Sequence, residues 1–204
     1  AMSTDGIDPT SVAAAIGVGS GDGQKVVGFC PSQVVRKQIE ALPGMTSGSY
    51  IELCSELVNT LTDRGHRVVL FAHSIRPDTD AVHNNDGPLC AAIYESIGTP
   101  DSVDLVDSEL DPRQLRVLMR RFDGVITSRF HAMVSALAES VPPLVLGWGH
   151  KYQEVLHMFG LEDSGIDAVQ MADTATLQAQ IDRYLLGIES DESLAESAVR
   201  VREI

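Results

Sequence analysis

The sequence is poor in aromatics: five Phe, four Tyr and one Trp make up 5% of its 204 residues. Its core must therefore be aliphatic and rich in alanine. Cysteine is scarce too, with only Cys30, Cys54 and Cys90. An odd number at wide spacing gives neither a disulfide framework nor a CxxC metal motif, so buried free thiols in a reducing cytoplasm are expected. Basic residues are outnumbered: 15 Lys and Arg face 29 Asp and Glu, a formal charge of -14. That excludes nucleic acid as a partner, because phosphate backbones are bound by clustered Lys and Arg. It also excludes docking on anionic lipid through a basic patch. A small anionic substrate stays compatible, since a few cations make a local positive pocket on an acidic protein.

No apolar run approaches the roughly 20 residues of a transmembrane helix. The start, Ala1-Met2-Ser3-Thr4-Asp5-Gly6, lacks the basic segment of a secretory signal, and Ala1-Met2 reads as a remnant of expression. A cytoplasmic location is the expectation.

What is present is ordinary globular composition, 44% hydrophobic and 22% charged. Residues 1–24 read as a flexible segment or linker. Its glycines, Gly17 to Gly23, resemble a dinucleotide fingerprint only superficially, because they precede a strand instead of following one. Residues 25–188 alternate strands with amphipathic helices, and 189–204 form a charged tail or terminal helix. Short apolar runs at Val26–Cys30, Val68–Ala72, Val103–Val106, Val125–Thr127 and Leu144–Gly147 read as five strands. Helices are expected over Ser49–Arg64, Leu89–Ile97, Asp111–Arg121, Ser128–Ser140, Tyr152–Phe159 and Thr174–Leu186. Tyr50, Leu53, Leu57, Val58 and Leu61 share one helical face. This pattern predicts an α/β fold: a doubly wound parallel sheet, a Rossmann-like single domain. Ligands of such sheets bind beyond the carboxyl ends of the strands, so His73, Ser128 to His131 and Gly147 to Tyr152 are the segments to inspect.

The sharpest of these is Val125-Ile126-Thr127-Ser128-Arg129-Phe130-His131-Ala132. A strand ends at Thr127, and Arg129 and His131 are expected in the first turn of the next helix. Free N–H groups and the helix dipole favour an anion there. Arg129 adds a guanidinium fork suited to carboxylate or phosphate. His131 adds a group that changes charge near neutral pH. On spacing alone the pair reads equally as a surface arginine beside a core histidine. A cation is disfavoured at a helix N-terminus, however, and that mismatch points toward function.

The block Ser128-Arg129-Phe130-His131-Ala132, the small-residue helix, Ser140-Val141-Pro142 and the following strand resemble the signature of the polysaccharide pyruvyl transferase family. Lys151 and the Leu156–Leu161 stretch resemble the family's next helix. The likeness runs over roughly residues 25 to 165. It departs at Val141-Pro142-Pro143, where one proline is usual, and at Gly147-Trp148-Gly149-His150. The resemblance implies the C-terminal, donor-binding half of a GT-B-type transferase, with the acceptor surface on an absent N-terminal domain. It implies a phosphoenolpyruvate donor, a saccharide acceptor, a ketal product in cell-envelope polysaccharide synthesis, and neither cofactor nor metal. Arg129 and the helix N-terminus would then hold the donor's phosphate or carboxylate. His131 would act as the acid or as a phosphate partner. Ser128, His73, Asp86 and Lys151 would contribute to substrate binding, though Asp86 reads equally as a helix cap, and His73 and Lys151 as solvated side chains. Two other readings stand beside it. One is the C-terminal domain of a nucleotide-sugar glycosyltransferase, with Glu154 as a forced ribose ligand. The other is a non-catalytic binding or assembly domain derived from such an enzyme. Oligomeric state is left open.

Overall fold

The computed structural model describes residues 23–75, 85–98, 100–106, 110–147 and 149–190. Six parallel strands form one sheet: β1 (Val26–Cys30), β2 (Arg67–Phe71), β3 (Val103–Val106), β4 (Gly124–Thr127), β5 (Pro143–Leu146) and β6 (Gly165–Ile166), in the order β3-β2-β1-β4-β5-β6. Eight helices accompany them among the described residues: α1 (Gln33–Glu40), α2 (Ser49–Asp63), α3 (Gly87–Ser96), α4 (Pro112–Met119), α5 (Phe130–Ala138), α6 (His150–Met158), α7 (Ala168–Ala172) and α8 (Thr174–Glu189).

The sheet is covered on both faces because its strands alternate two apolar sets. Val27, Phe29, Val68, Leu70, Ile126, Leu144 and Leu146 pack with α1, α2, α3, α7 and α8. Cys30, Val69, Phe71 and Val125 face α4 and α5, and Val145 joins Met133, Leu137 and Leu156. At Gly28 an added Cβ would lie 2.5 Å from the Phe122 ring, so the central strand requires glycine there. All three cysteines are free and buried. Burial pushes the Cys30 thiol up to about 12, which leaves little thiolate at the end of β1.

Four elements depart from expectation, among them the five-residue helix α7 (Ala168–Ala172), which was not anticipated. The sixth strand was not anticipated: two residues are too few to show a period. Helix α1 was missed because only Gln33, Val35 and Ile39 are buried in a polar segment. Its legible signal was the N-cap Ser32, whose Oγ accepts from the Val34 N–H. Helix α5 begins at Phe130, two residues later than expected, with Arg129 as its N-cap in extended conformation. By contrast, α4 starts where the sequence marks it: Asp111 and Gln114 close a capping box around Pro112. The segment 1–22, Trp148, and the tail including Asp191, Glu192 and Glu196 lie outside the described residues.

Strand order reverses between β1 and β4, whose last residues, Cys30 and Thr127, are paired neighbours. The chains leaving these two strands diverge there and open a crevice, the usual ligand position in such a sheet.

Candidate active site

Around this crevice a buried carboxylate ties three segments together. Asp86 has no exposed surface. Its Oδ2 accepts from Arg129 Nε at 2.7 Å and its Oδ1 from Arg129 Nη2 at 2.6 Å, a bidentate pair. Oδ1 also accepts from the Gln33 N–H at 3.0 Å, and the Asp86 N–H donates to the Ser74 carbonyl at 2.8 Å. The segments after β1, β2 and β4 are thus joined through one residue. Asp86 precedes α3 but makes no side-chain cap bond to it. Capping, the simpler expectation, is corrected: the carboxylate is committed to Arg129.

Arg129 in turn is not an open fork. Burial opposes its charge, but the Asp86 carboxylate outweighs that and holds the guanidinium above its ordinary value. Two of its five donors go to Asp86, and the others remain for a ligand. The Arg129 N–H donates to Thr127 Oγ1 at 3.0 Å, which sets the extended turn before α5. The Arg129 side chain makes no cap bond to α5.

Arg129, His131 and His73 line one cavity of about 610 Å³, with Ser74, Pro112 and Arg116, and with Val134, Ser135 and Ala138 of α5. The two imidazoles are stacked, their centroids 6.1 Å apart and their planes 17° from parallel. Burial first, then the proximity of His131, pushes His73 from 6.5 down to about 4. It therefore stays uncharged at neutral pH. The folded chain binds this proton only near pH 4, whereas the unfolded chain binds it near 6.5. Stability should consequently fall as pH drops from about 6.5 toward 4, by about 1–2 kcal/mol at pH 5. A His73→Gln variant should lose that part of the slope, measured as the difference in urea midpoint between pH 7 and pH 5.

The remaining expected site residues lie beside the cavity instead of along it. Ser128 is buried; its Oγ shares a hydrogen bond of 3.2 Å with Tyr50 Oη, which also accepts from the Ser32 N–H at 3.2 Å. These bonds tie α2 to the segments after β1 and β4. Lys151, exposed at the start of α6, rests its Nζ 3.9 Å above the Phe130 ring, a cation–π contact. Tyr152 packs edge-on against Phe130 at 5.4 Å and donates from Oη to the Ser128 carbonyl at 3.4 Å. Among the described residues no cluster of His, Cys, Asp and Glu could hold a metal ion; His157 Nδ1 instead meets Glu162 Oε1 at 2.6 Å. Glu154 is exposed and does not line the cavity.

Sequence reading named His131 but missed Arg116 and the rest of the His131 face of α5, Val134, Ser135 and Ala138. The available signal was periodicity: those four positions recur at helical spacing opposite the buried Ala132, Met133, Ala136 and Leu137.

A doubly wound α/β domain with an Arg–His cavity beyond the strand ends is the class defined here. Residues 37–150, more than half of the chain, match the polysaccharide pyruvyl transferase family, and the chain belongs to that family. No curated protein matches the sequence. Among solved structures it is similar to the glycosyltransferase SnogD from Streptomyces nogalater, with 17% identity and a TM-score of 0.43. That match covers 90% of this chain and 44% of SnogD, so the chain spans less than half the length of its structural relative. No helix among the described residues is long and apolar enough to cross a membrane.

Proposed function

We propose that this chain carries the donor site of a pyruvyl transferase, which moves pyruvate from phosphoenolpyruvate onto two hydroxyls of a saccharide as a ketal. The observation that supports it most is the Arg129–Asp86 pair fixing a guanidinium beside His131 at the β1/β4 crevice. Phosphoenolpyruvate carries a carboxylate and a phosphate. Arg129, with its free donors, and the first-turn N–H groups of α5 hold one of them.

In the reaction a proton adds to the methylene carbon, giving a methyl group and cationic character at the central carbon. One sugar hydroxyl forms a C–O bond there and releases its proton. A second hydroxyl attacks the same carbon, and the C–O bond to phosphate breaks with its electron pair on phosphate. Of the two hydroxyl protons, one balances that taken up by the methyl and the other leaves with phosphate. His131 serves as the acid or as a hydrogen-bond partner of the phosphate. His73, uncharged, donates or accepts a hydrogen bond without adding charge. The site's work is chiefly positioning and charge stabilisation.

Thermal unfolding of the chain with phosphoenolpyruvate, inorganic phosphate or a nucleotide sugar tests the donor. At a hundred times Kd a true ligand adds about 2.7 kcal/mol of stability, a rise of a few degrees. The expected result is a rise with phosphoenolpyruvate exceeding that with phosphate. A rise with the nucleotide sugar alone would replace this reading by a glycosyltransferase, and no rise with any of them would favour a non-catalytic domain.

A further inference from the structure

The cavity is longer than the donor. Its wall on α5 runs from His131 through Val134 and Ser135 to Ala138, seven residues or about 10 Å of helix. Its volume, about 610 Å³, falls within the range of sites for drug-sized ligands and is generous for a three-carbon phosphate. On the opposite wall stand Pro112 and Arg116 of α4. Arg116 Nη2 meets Glu139 just past the end of α5, which anchors the arginine at the end of the groove remote from Arg129. No Asp or Glu lines the groove among the described residues.

We propose that this groove receives the acceptor saccharide, with its reacting hydroxyls beside His131 and an anionic substituent at Arg116. The proposal rests on the pyruvyl-transfer reading, because a ketal formed at His131 requires the sugar to start there. From that end the groove offers what a sugar ring needs: the apolar surface of Val134 and Ala138 for its C–H face and the Ser135 hydroxyl for a hydrogen bond. Arg116 then adds a planar cation matched to a uronate carboxylate or a phosphate ester, two sources of one chemistry. Part of the acceptor surface accordingly lies on this chain, where the sequence placed it on another domain.

Calorimetric titration of the chain, with phosphoenolpyruvate present, should compare methyl galactoside, galacturonate and galactose 6-phosphate. Both anionic sugars are expected to bind at least about tenfold tighter than the neutral one, or about 1.4 kcal/mol; the tighter of the two identifies carboxylate or phosphate as the group recognised. Arg116→Gln should erase that preference and leave the Kd for phosphoenolpyruvate unchanged. Since Arg116→Gln also disturbs the Glu139 ion pair, Ala138→Phe provides an independent arm: Ala138 is exposed, and its replacement should abolish binding of all three sugars by filling the groove. Equal binding of the three sugars, or sugar binding untouched by Ala138→Phe, overturns the proposal. Phosphoenolpyruvate binding without sugar binding would sink the groove alone. Anionic-sugar binding lost in Ala138→Phe, with no phosphoenolpyruvate binding, would sink the donor reading alone.

Discussion

Replacing Arg129 by alanine is expected to destabilise the fold by about 3–5 kcal/mol, because it strands a buried charge. Asp86 has no exposed surface and would keep a single partner, the Gln33 N–H. The reciprocal change, Asp86→Ala, should cost less, about 2–3 kcal/mol. The Arg129 side chain is 18% exposed and can recover water, although the Gln33 N–H loses its acceptor. The double variant should cost less than the sum of the two by 1 kcal/mol or more, since neither charge is then left alone. Urea unfolding of the four proteins measures all three values. An Arg129→Ala cost below about 1 kcal/mol would mean that the pair contributes little to the crevice. Arg129→Lys separates charge from shape: an ammonium cannot reproduce the two parallel bonds, so the cation survives while its orientation is lost.

The second large effect belongs to His131. Its replacement by alanine is expected to slow pyruvyl transfer by about 10²–10⁴-fold, the usual contribution of a positioned acid or base. Phosphate released from phosphoenolpyruvate in the presence of an acceptor measures it. The Kd for phosphoenolpyruvate separates the two roles. If His131 protonates carbon, affinity stays within a few-fold of wild type and the loss is in turnover. If it holds phosphate, affinity falls and His131→Gln, which keeps a hydrogen bond, restores part of it. A His131→Ala protein with wild-type turnover would remove His131 from the chemistry. His131 is exposed on α5, so this change should leave the fold intact and the kinetic loss interpretable.

How much of this could be read from residues alone differs by element. The helix Ser49–Asp63 was legible because Tyr50, Leu53, Leu57, Val58 and Leu61 repeat at helical spacing, and all five are buried. The parallel sheet followed from short apolar runs separated by amphipathic helices, an arrangement that only right-handed crossovers close. The Arg129-Phe130-His131-Ala132 block was legible only as a candidate site: spacing alone left it equal to a packing role, and its place at a strand end and its family resemblance singled it out.

Partners across space were not legible. Asp86 and Arg129 stand 43 residues apart, and no local pattern links a loop carboxylate to one arginine among several. Which end of the crevice Lys151 faces, which neighbour Ser128 touches, and that Arg116 and α5 share a groove all depend on how β2, β4 and α4 are placed side by side. Periodicity, caps and turns act over a few residues and are written in the chain. The pairing of distant charges and the shape of the cavity between helices emerge only when the sheet brings those residues within hydrogen-bonding distance.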